Sequence, residues 1–277
     1  MYGSVLHFVA VLGNFFSVEF SRIKYTVDQR VATVTLNRPE KHNALDDEMV
    51  AELSSAFALC RKDPAVKVVI LQGEGKSFCS GADLQYLQRM AKFDFNQNQQ
   101  DSTNLMKLFA EIYNHRKPVI ALVHGNALAG GCGLATVCDF VIAARETARF
   151  GYTEVRIGFI PAIVMVFLIR RVGEGRAREL TLRGHTIDAE EARAIGLVSH
   201  VVAGRELKAF GMNLAQELAR GNSGSSMGLI KELTARIHGM STSDALDYAA
   251  NLNALTRMTE DCKRGVEAFL KKESIDW

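Results

Sequence analysis

The sequence has no long uninterrupted apolar run, no excess of charge of either sign and no paired-cysteine motif. The apolar stretch from Val5 to Phe16 is broken by His7, Gly13 and Asn14, lacks a basic lead-in and is too short to span a membrane. It reads as an N-terminal extension, from an early start codon, with a degenerate signal peptide as the alternative. The 33 basic and 31 acidic residues leave a formal charge of only +2, which excludes the concentrated positive face that a nucleic-acid backbone requires. No nucleic-acid and no membrane partner is expected. Cys60, Cys79, Cys132, Cys138 and Cys262 are odd in number and show neither CxxC nor His/Cys ligand spacing, so no metal site is expected and a reducing cytoplasm fits best.

What is present suits a soluble protein with a full core: 277 residues, 48% of them apolar. Alternation from Ile23 to Leu36, with a break around Asp28-Gln29-Arg30, predicts a hairpin. Met49, Leu53, Ala56 and Cys60 fall at helical spacing within Asp46 to Cys60, with Asp47 and Glu48 well placed at its positive end. A buried strand follows at Val66 to Leu71. The alternation then recurs as a helix around Asn104 to Asn114, a strand Val119 to Val123, a helix near Gly131 to Asp139 and a strand Phe140 to Ala143. Repeated strand-helix units predict an α/β fold. Phe93 to Asn104, rich in Asn and Gln, reads as a polar loop or insertion. Beyond about Thr186 helical patterns dominate, at Ala189 to Ile195, Leu207 to Ala219, Ser225 to Ile237 and Ser243 to Lys272. A helical tail of this size either caps its own core or packs on a neighbouring subunit, so an oligomer is expected.

Two Gly-containing segments each follow a predicted strand and lead into a helix: Ser77 to Leu84 and Asn126 to Ala135. A small residue there lets backbone approach a ligand, and the unpaired N–H groups of the following helix start point outward. Two such turns together can bind one oxyanion, although either alone need only solve a packing problem. Neither matches the nucleotide-phosphate patterns GxGxxG or GxxxxGK[ST].

The segments Arg38 to Leu45, Phe78 to Leu84, Ala129-Gly130-Gly131-Cys132, Cys138-Asp139, Glu154 with Gly158 and Pro161, and Ala192 to Val198 resemble, in order and spacing, those of the crotonase (enoyl-CoA hydratase/isomerase) superfamily. The resemblance covers roughly Ser17 to Lys272. It implies a ββα spiral core with a C-terminal helical region: residues 1–16 as an extension, 17–200 as the core with the active site, and 201–277 as a helical capping or oligomerisation region. It also implies an acyl-CoA substrate, no cofactor beyond the coenzyme A of that substrate, and a homotrimer or a hexamer built as a dimer of trimers. By the same analogy Ala82 N–H and Gly130 N–H form the oxyanion hole. Ala44, Ser80, Gly81, Asp83, Leu84 and Gly131 hold the CoA and acyl groups, with Phe269 and Lys272 near the nucleotide end. A solvated helix end is the plain alternative for Lys271-Lys272.

Glu154 lies among apolar residues in Phe150 to Gly158, where desolvation would raise its pKa toward that of a general base or acid. Its rival reading is a surface carboxylate paired with Arg149 or Arg156. Hydratases of the resembled family carry a second glutamate where this chain has Gly133. Moving a double bond from C3 to C2 needs one base, whereas adding water is commonly described with two carboxylates. The residue set therefore leans to isomerisation, with 2-enoyl-CoA hydration in fatty-acid or branched-chain amino-acid breakdown as the alternative, and a non-catalytic CoA-ester binder behind it. Asp83, Asp139 and His124 are further titratable candidates. A thiol hydrolase using Cys132 ranks below these, because its flanking residues do not form a nucleophile elbow. After Pro161, Ala162 to Phe167 replaces the Gly-rich stretch common in the family, which implies a reshaped acyl pocket.

Overall fold

A computed structural model describes residues 19–277, so the reading of the N-terminal extension, residues 1–16, lies outside the described residues. The chain opens with the expected hairpin, β1 (Ile23–Asp28) and β2 (Val31–Leu36), whose turn places Gln29 and Arg30 in the left-handed region. Helix α1 (Asp47–Lys62) follows, capped by the Asp46 carboxylate, which accepts from Met49 N–H. Next come β3 (Val68–Gly73), β4 (Ser77–Cys79), α2 (Leu84–Met90) and α3 (Phe95–Tyr113), then β5 (Val119–Val123), β6 (Asn126–Leu128) and α4 (Gly130–Thr136). A third round supplies β7 (Phe140–Ala144), β8 (Arg149–Gly151) and α5 (Ala162–Arg183). The described chain ends with β9 (Thr186–Asp188), α6 (Ala189–Ala194), β10 (His200–Val202), α7 (Leu207–Gly221), α8 (Gly224–Ile237), α9 (Thr242–Thr256) and α10 (Glu260–Lys271).

Each round lays one strand in a six-stranded sheet, β1-β2-β3-β5-β7-β10, and the next in a four-stranded sheet, β4-β6-β8-β9, before turning into helix. The strands pair in parallel except for β1 with β2 and β8 with β9. This is the ββα spiral that the motifs imply. The period-2 alternation of the large sheet divides its side chains between two cores. Val69, Leu71, Ala121, Val123 and Val141 face α1, α3, α4 and α5, while Val68, Ile70, Ile120, Leu122 and Ile142 face α7. Burying one such side chain contributes about 1.5–3 kcal/mol.

The structure corrects two readings. The Asn/Gln-rich segment expected as a loop is the first half of α3, begun by a capping box in which the Asp94 carboxylate accepts from Gln97 N–H and the Gln97 side chain from Asp94 N–H. The long C-terminal helical pattern is two helices, because Thr259 leaves the helix to cap α10 through Cys262 N–H. Of residues 201–277, β10 completes the large sheet and α7 covers its outer face, with Gly211 letting the helix approach Leu122. Among the described residues no helix is long and apolar enough to cross a membrane.

Candidate active site

The two Gly-containing turns meet. At Gly81, where φ is +92°, an added Cβ would lie 2.9 Å from Ala129 Cβ and 3.6 Å from Gly130 N. Glycine is required there by both backbone angle and space. Ala82 forms an isolated parallel bridge with Leu45, in which Leu45 N–H donates to Gly81 O (2.7 Å) and Asp83 N–H to Leu45 O (2.8 Å). The bridge is made by the residues flanking Ala82, so the N–H of Ala82 itself points away from Leu45 and stays on the exposed side.

Ala129, at φ 49° and ψ −128°, holds a backbone conformation that costs a residue other than glycine about 1–3 kcal/mol. Its N–H donates to Gly151 O (2.7 Å) and its C=O accepts from Gly133 N–H (3.0 Å), which overdetermines the turn. The turn aims Gly130 N–H, at the first helical position of α4, where no intrahelical acceptor exists. Gly131 permits the close approach of α4 to β4, since a Cβ there would lie 2.2 Å from Cys79 O.

Glu154 opens a 3-10 turn, Glu154–Ile157, immediately after β8. It is buried, its Oε2 has no hydrogen-bond partner among the described residues, and burial raises its carboxyl above the usual glutamate value. The surface-pair reading does not hold: Arg149 donates to the carbonyls of Glu146 and Ala148, and Glu154 is buried with Oε2 unpartnered by Arg149 or Arg156. The segment is anchored from beneath by Tyr152, fully buried, whose hydroxyl lies 2.7 Å from Thr136 Oγ1 on α4.

The remaining candidates fall into place. Asp83 caps α2 by accepting from Gln85 and Tyr86 N–H and receives Arg38 Nη2 at 3.1 Å, so its carboxylate is committed within the chain. Ser80 N–H donates to His42 O, and Ala44 has both peptide groups engaged, with Lys41 O and with Arg38 Nη1. Leu84 is exposed at the start of α2. Asp139 accepts from Val119 N–H and Lys231 Nζ, and His124 contacts Gly75 O, so both are structural. Cys132 is fully buried and burial pushes its thiol up to about 12, which removes it as a nucleophile. Phe269 and Lys272 are not brought to the two Gly-containing turns within one chain: α10 packs on α8, and Phe269 is 81% exposed.

The residue the sequence reading missed is Val164, on the first turn of α5. A Cβ at Gly133 would lie 2.0 Å from Val164 Cγ1 and 3.2 Å from Phe109 Cε2. The signal was the departure from the family pattern after Pro161.

Among the described residues Ala82 N–H and Gly130 N–H have no backbone acceptor and Glu154 is withdrawn from water, a set of groups suited to stabilising negative charge on a carbonyl oxygen while a proton is moved. The family model described as enoyl-CoA hydratase/isomerase matches residues 26–277. A Thermus thermophilus protein carrying the enoyl-CoA hydratase name is 43% identical over 242 residues, 87% of this chain and 95% of that one. The 2,3-dehydroadipyl-CoA hydratase of Escherichia coli is 34% identical over 250 residues, covering 90% and 95%. The crystal structure of an enoyl-CoA hydratase from Shewanella pealeana matches with a TM-score of 0.88 at 30% identity, over 94% of this chain and 97% of that chain. The chain belongs to the enoyl-CoA hydratase/isomerase family of the crotonase superfamily and is an enzyme of that family acting on acyl-CoA thioesters.

Proposed function

We propose that this enzyme converts 3-enoyl-CoA to 2-enoyl-CoA with Glu154 as its single proton shuttle. The thioester oxygen sits between Ala82 N–H and Gly130 N–H. Glu154 takes a proton from C2, the electron pair moves into the carbonyl to give an enolate, and the two amides stabilise the charge. The protonated Glu154 then delivers that proton to C4, leaving the double bond between C2 and C3. One amide donor contributes about 2.7–4 kcal/mol to such a transition state, and a positioned acid-base group about 10²–10⁴ in rate.

The observation that carries this reading is the space at Gly133. A second carboxylate there has no room beside Val164, and no other carboxylate oxygen among the described residues is buried without a partner. Hydration of 2-enoyl-CoA is the second reading, favoured by the hydratase names of the relatives. Purified enzyme offered 2-enoyl-CoA and 3-enoyl-CoA side by side, with products identified by mass spectrometry, separates them. Isomerisation faster than hydration is expected, and the reverse order would overturn the isomerase assignment. A pure CoA-ester binder would turn over neither substrate and has no use for a desolvated glutamate at the thioester.

Ser80, Gly81, Leu84 and Gly131 are assigned to the pantetheine and acyl side, and Phe269 and Lys272 to the nucleotide end, with no cofactor beyond the substrate's own CoA. The exposed apolar side chains Leu246, Leu255, Met258, Val266 and Leu270 on and between α9 and α10 support self-association as a trimer or hexamer. Sedimentation equilibrium tests that assembly. Five free cysteines support a reducing compartment such as the cytoplasm.

A further inference from the structure

We infer that Val164 is a specificity-determining residue: it keeps the space beside Gly133 apolar and dry, so that the 2-enoyl-CoA formed at Glu154 is released without being hydrated at C3. The inference rests on the reading of Glu154 as the proton shuttle and adds what decides the fate of the product.

Positions 133 and 164 compete for one volume. Gly133 is buried, and a Cβ on it would lie 2.0 Å from Val164 Cγ1 and 3.0 Å from Val164 Cβ, well inside ordinary contact. Phe109 Cε2, at 3.2 Å, closes the other side. Val164 is held there by its own burial (4% exposed) and by its place just after Pro161, where the chain turns into α5. The two side chains that such a Cβ would meet, Val164 and Phe109, are both buried and cannot hydrogen-bond.

A water poised to attack C3 needs two or more polar partners. The Glu154 turn packs on α5, and its carboxylate interacts electrostatically with Cys132, the neighbour of Gly133; Glu154 Oε2 is one acceptor, and neither Val164 nor Phe109 offers another. The β-branched valine, with few rotamers in a helix, is also poorly able to swing aside. The pair of small Gly133 and branched Val164 thus selects against water chemically and sterically.

The test uses the full chain as wild type, Gly133→Ala, Val164→Ala, their double variant, and Gly133→Glu/Val164→Ala. Three readouts are taken: thermal midpoint, C2-hydrogen exchange of a saturated acyl-CoA in D2O, and hydration of a short 2-enoyl-CoA. Exchange reports enolate formation and needs no water at C3. Gly133→Ala is expected to lower the midpoint in the wild-type background and to do so much less beside Val164→Ala, because the second change removes the colliding Cγ1. The ratio of hydration to exchange is expected to rise about tenfold in Val164→Ala and about 10²-fold in Gly133→Glu/Val164→Ala, where a second carboxylate gains room. Additive thermal effects would overturn the shared volume. Exchange accompanied by rapid hydration in the wild type, or an unchanged ratio in Val164→Ala, would overturn the water-excluding role while leaving Glu154 in place. Absence of exchange in the wild type would instead overturn the reading of Glu154, and this inference with it.

Discussion

Arg38 joins the starts of two helices: its Nη2 lies 3.1 Å from Asp83 Oδ2 and its Nη1 2.8 Å from Asp46 Oδ2. Asp46 caps α1 and Asp83 caps α2, and the amide of Ala82, proposed to bind the thioester oxygen, lies directly before Asp83. One buried guanidinium therefore sets the relative position of the Leu45 segment and the Ala82 turn. Arg38→Met is expected to leave two buried carboxylates without their shared guanidinium, with only the capping N–H groups and, for Asp46, Arg22 at 3.7 Å, and to cost about 3–5 kcal/mol of stability, read as a lowered denaturant midpoint. A change below about 0.5 kcal/mol would mean that the pair behaves as a surface contact.

Asp83 and Glu154, both buried, shift in opposite directions, and their pH signatures differ accordingly. For Asp83 burial acts upward, but the N–H groups of Tyr86 and Gln85 and the Arg38 guanidinium outweigh it and hold the carboxyl below its usual range. Its stabilising contribution is complete above the unfolded value of about 3.9 and is lost as pH falls through the lower folded value. Acid unfolding of the wild type should therefore steepen below about pH 4, and Asp83→Asn should flatten that limb. An identical acid limb in the variant would exclude Asp83 as its source.

Glu154 has the reverse sign, since burial raises it. Its folded form favours the proton, so its contribution to stability is present below the unfolded value and lost as pH rises through the raised folded one. Wherever the side chain is charged, its burial is a net cost to stability. Glu154→Gln should raise the thermal midpoint at pH 7 while lowering turnover by about 10²–10⁴. In the wild type, kcat/KM should climb with pH through a value above that of an ordinary glutamate. A variant of undiminished rate would remove Glu154 from the mechanism.

Gly130 offers a contrast between two substitutions. A Cβ there would meet only Leu45 Cδ1 at 3.5 Å, an ordinary contact, so Gly130→Ala keeps the N–H and fits. Gly130→Pro puts proline at a first helical position, where its missing N–H breaks no intrahelical bond, and deletes the donor. Gly130→Ala is expected to retain most activity, whereas Gly130→Pro loses about 10²–10³ in kcat with the fold preserved by circular dichroism. Equal activity of the two would show that the amide does not bind the oxyanion.

Cys132 should be dispensable for chemistry. Its thiol is fully buried and pushed up to about 12, so it is expected to resist alkylation at pH 8 in the folded protein. Cys132→Ala should turn over acyl-CoA within about threefold of wild type, the volume change being small for a buried site. A much larger loss, with the fold intact, would reopen the thiol reading.

Local rules were enough for the parts of this protein whose information is short-range. Alternation from Ile23 to Leu36 specified the hairpin, apolar spacing specified α1 and α7, and the ordered motifs specified the spiral and the two turns. They could have specified α3 as well: Asp94 and Gln97 form its capping box, but the Asn/Gln content masked the signal. Short strands such as β4, β6, β8 and β9 escaped because three residues carry too little pattern to be told from a loop. The sequence also placed a carboxylate at Glu154 and withheld one at Gly133. Only the tertiary structure decided what those two facts mean. Burial is a property of the whole fold, so the unpartnered state of Glu154 Oε2 appears only once β8 and α4 are tied through Tyr152 and Thr136. The volume at Gly133 belongs to Val164, 31 positions later in the chain, and only packing brings those two residues into the same space.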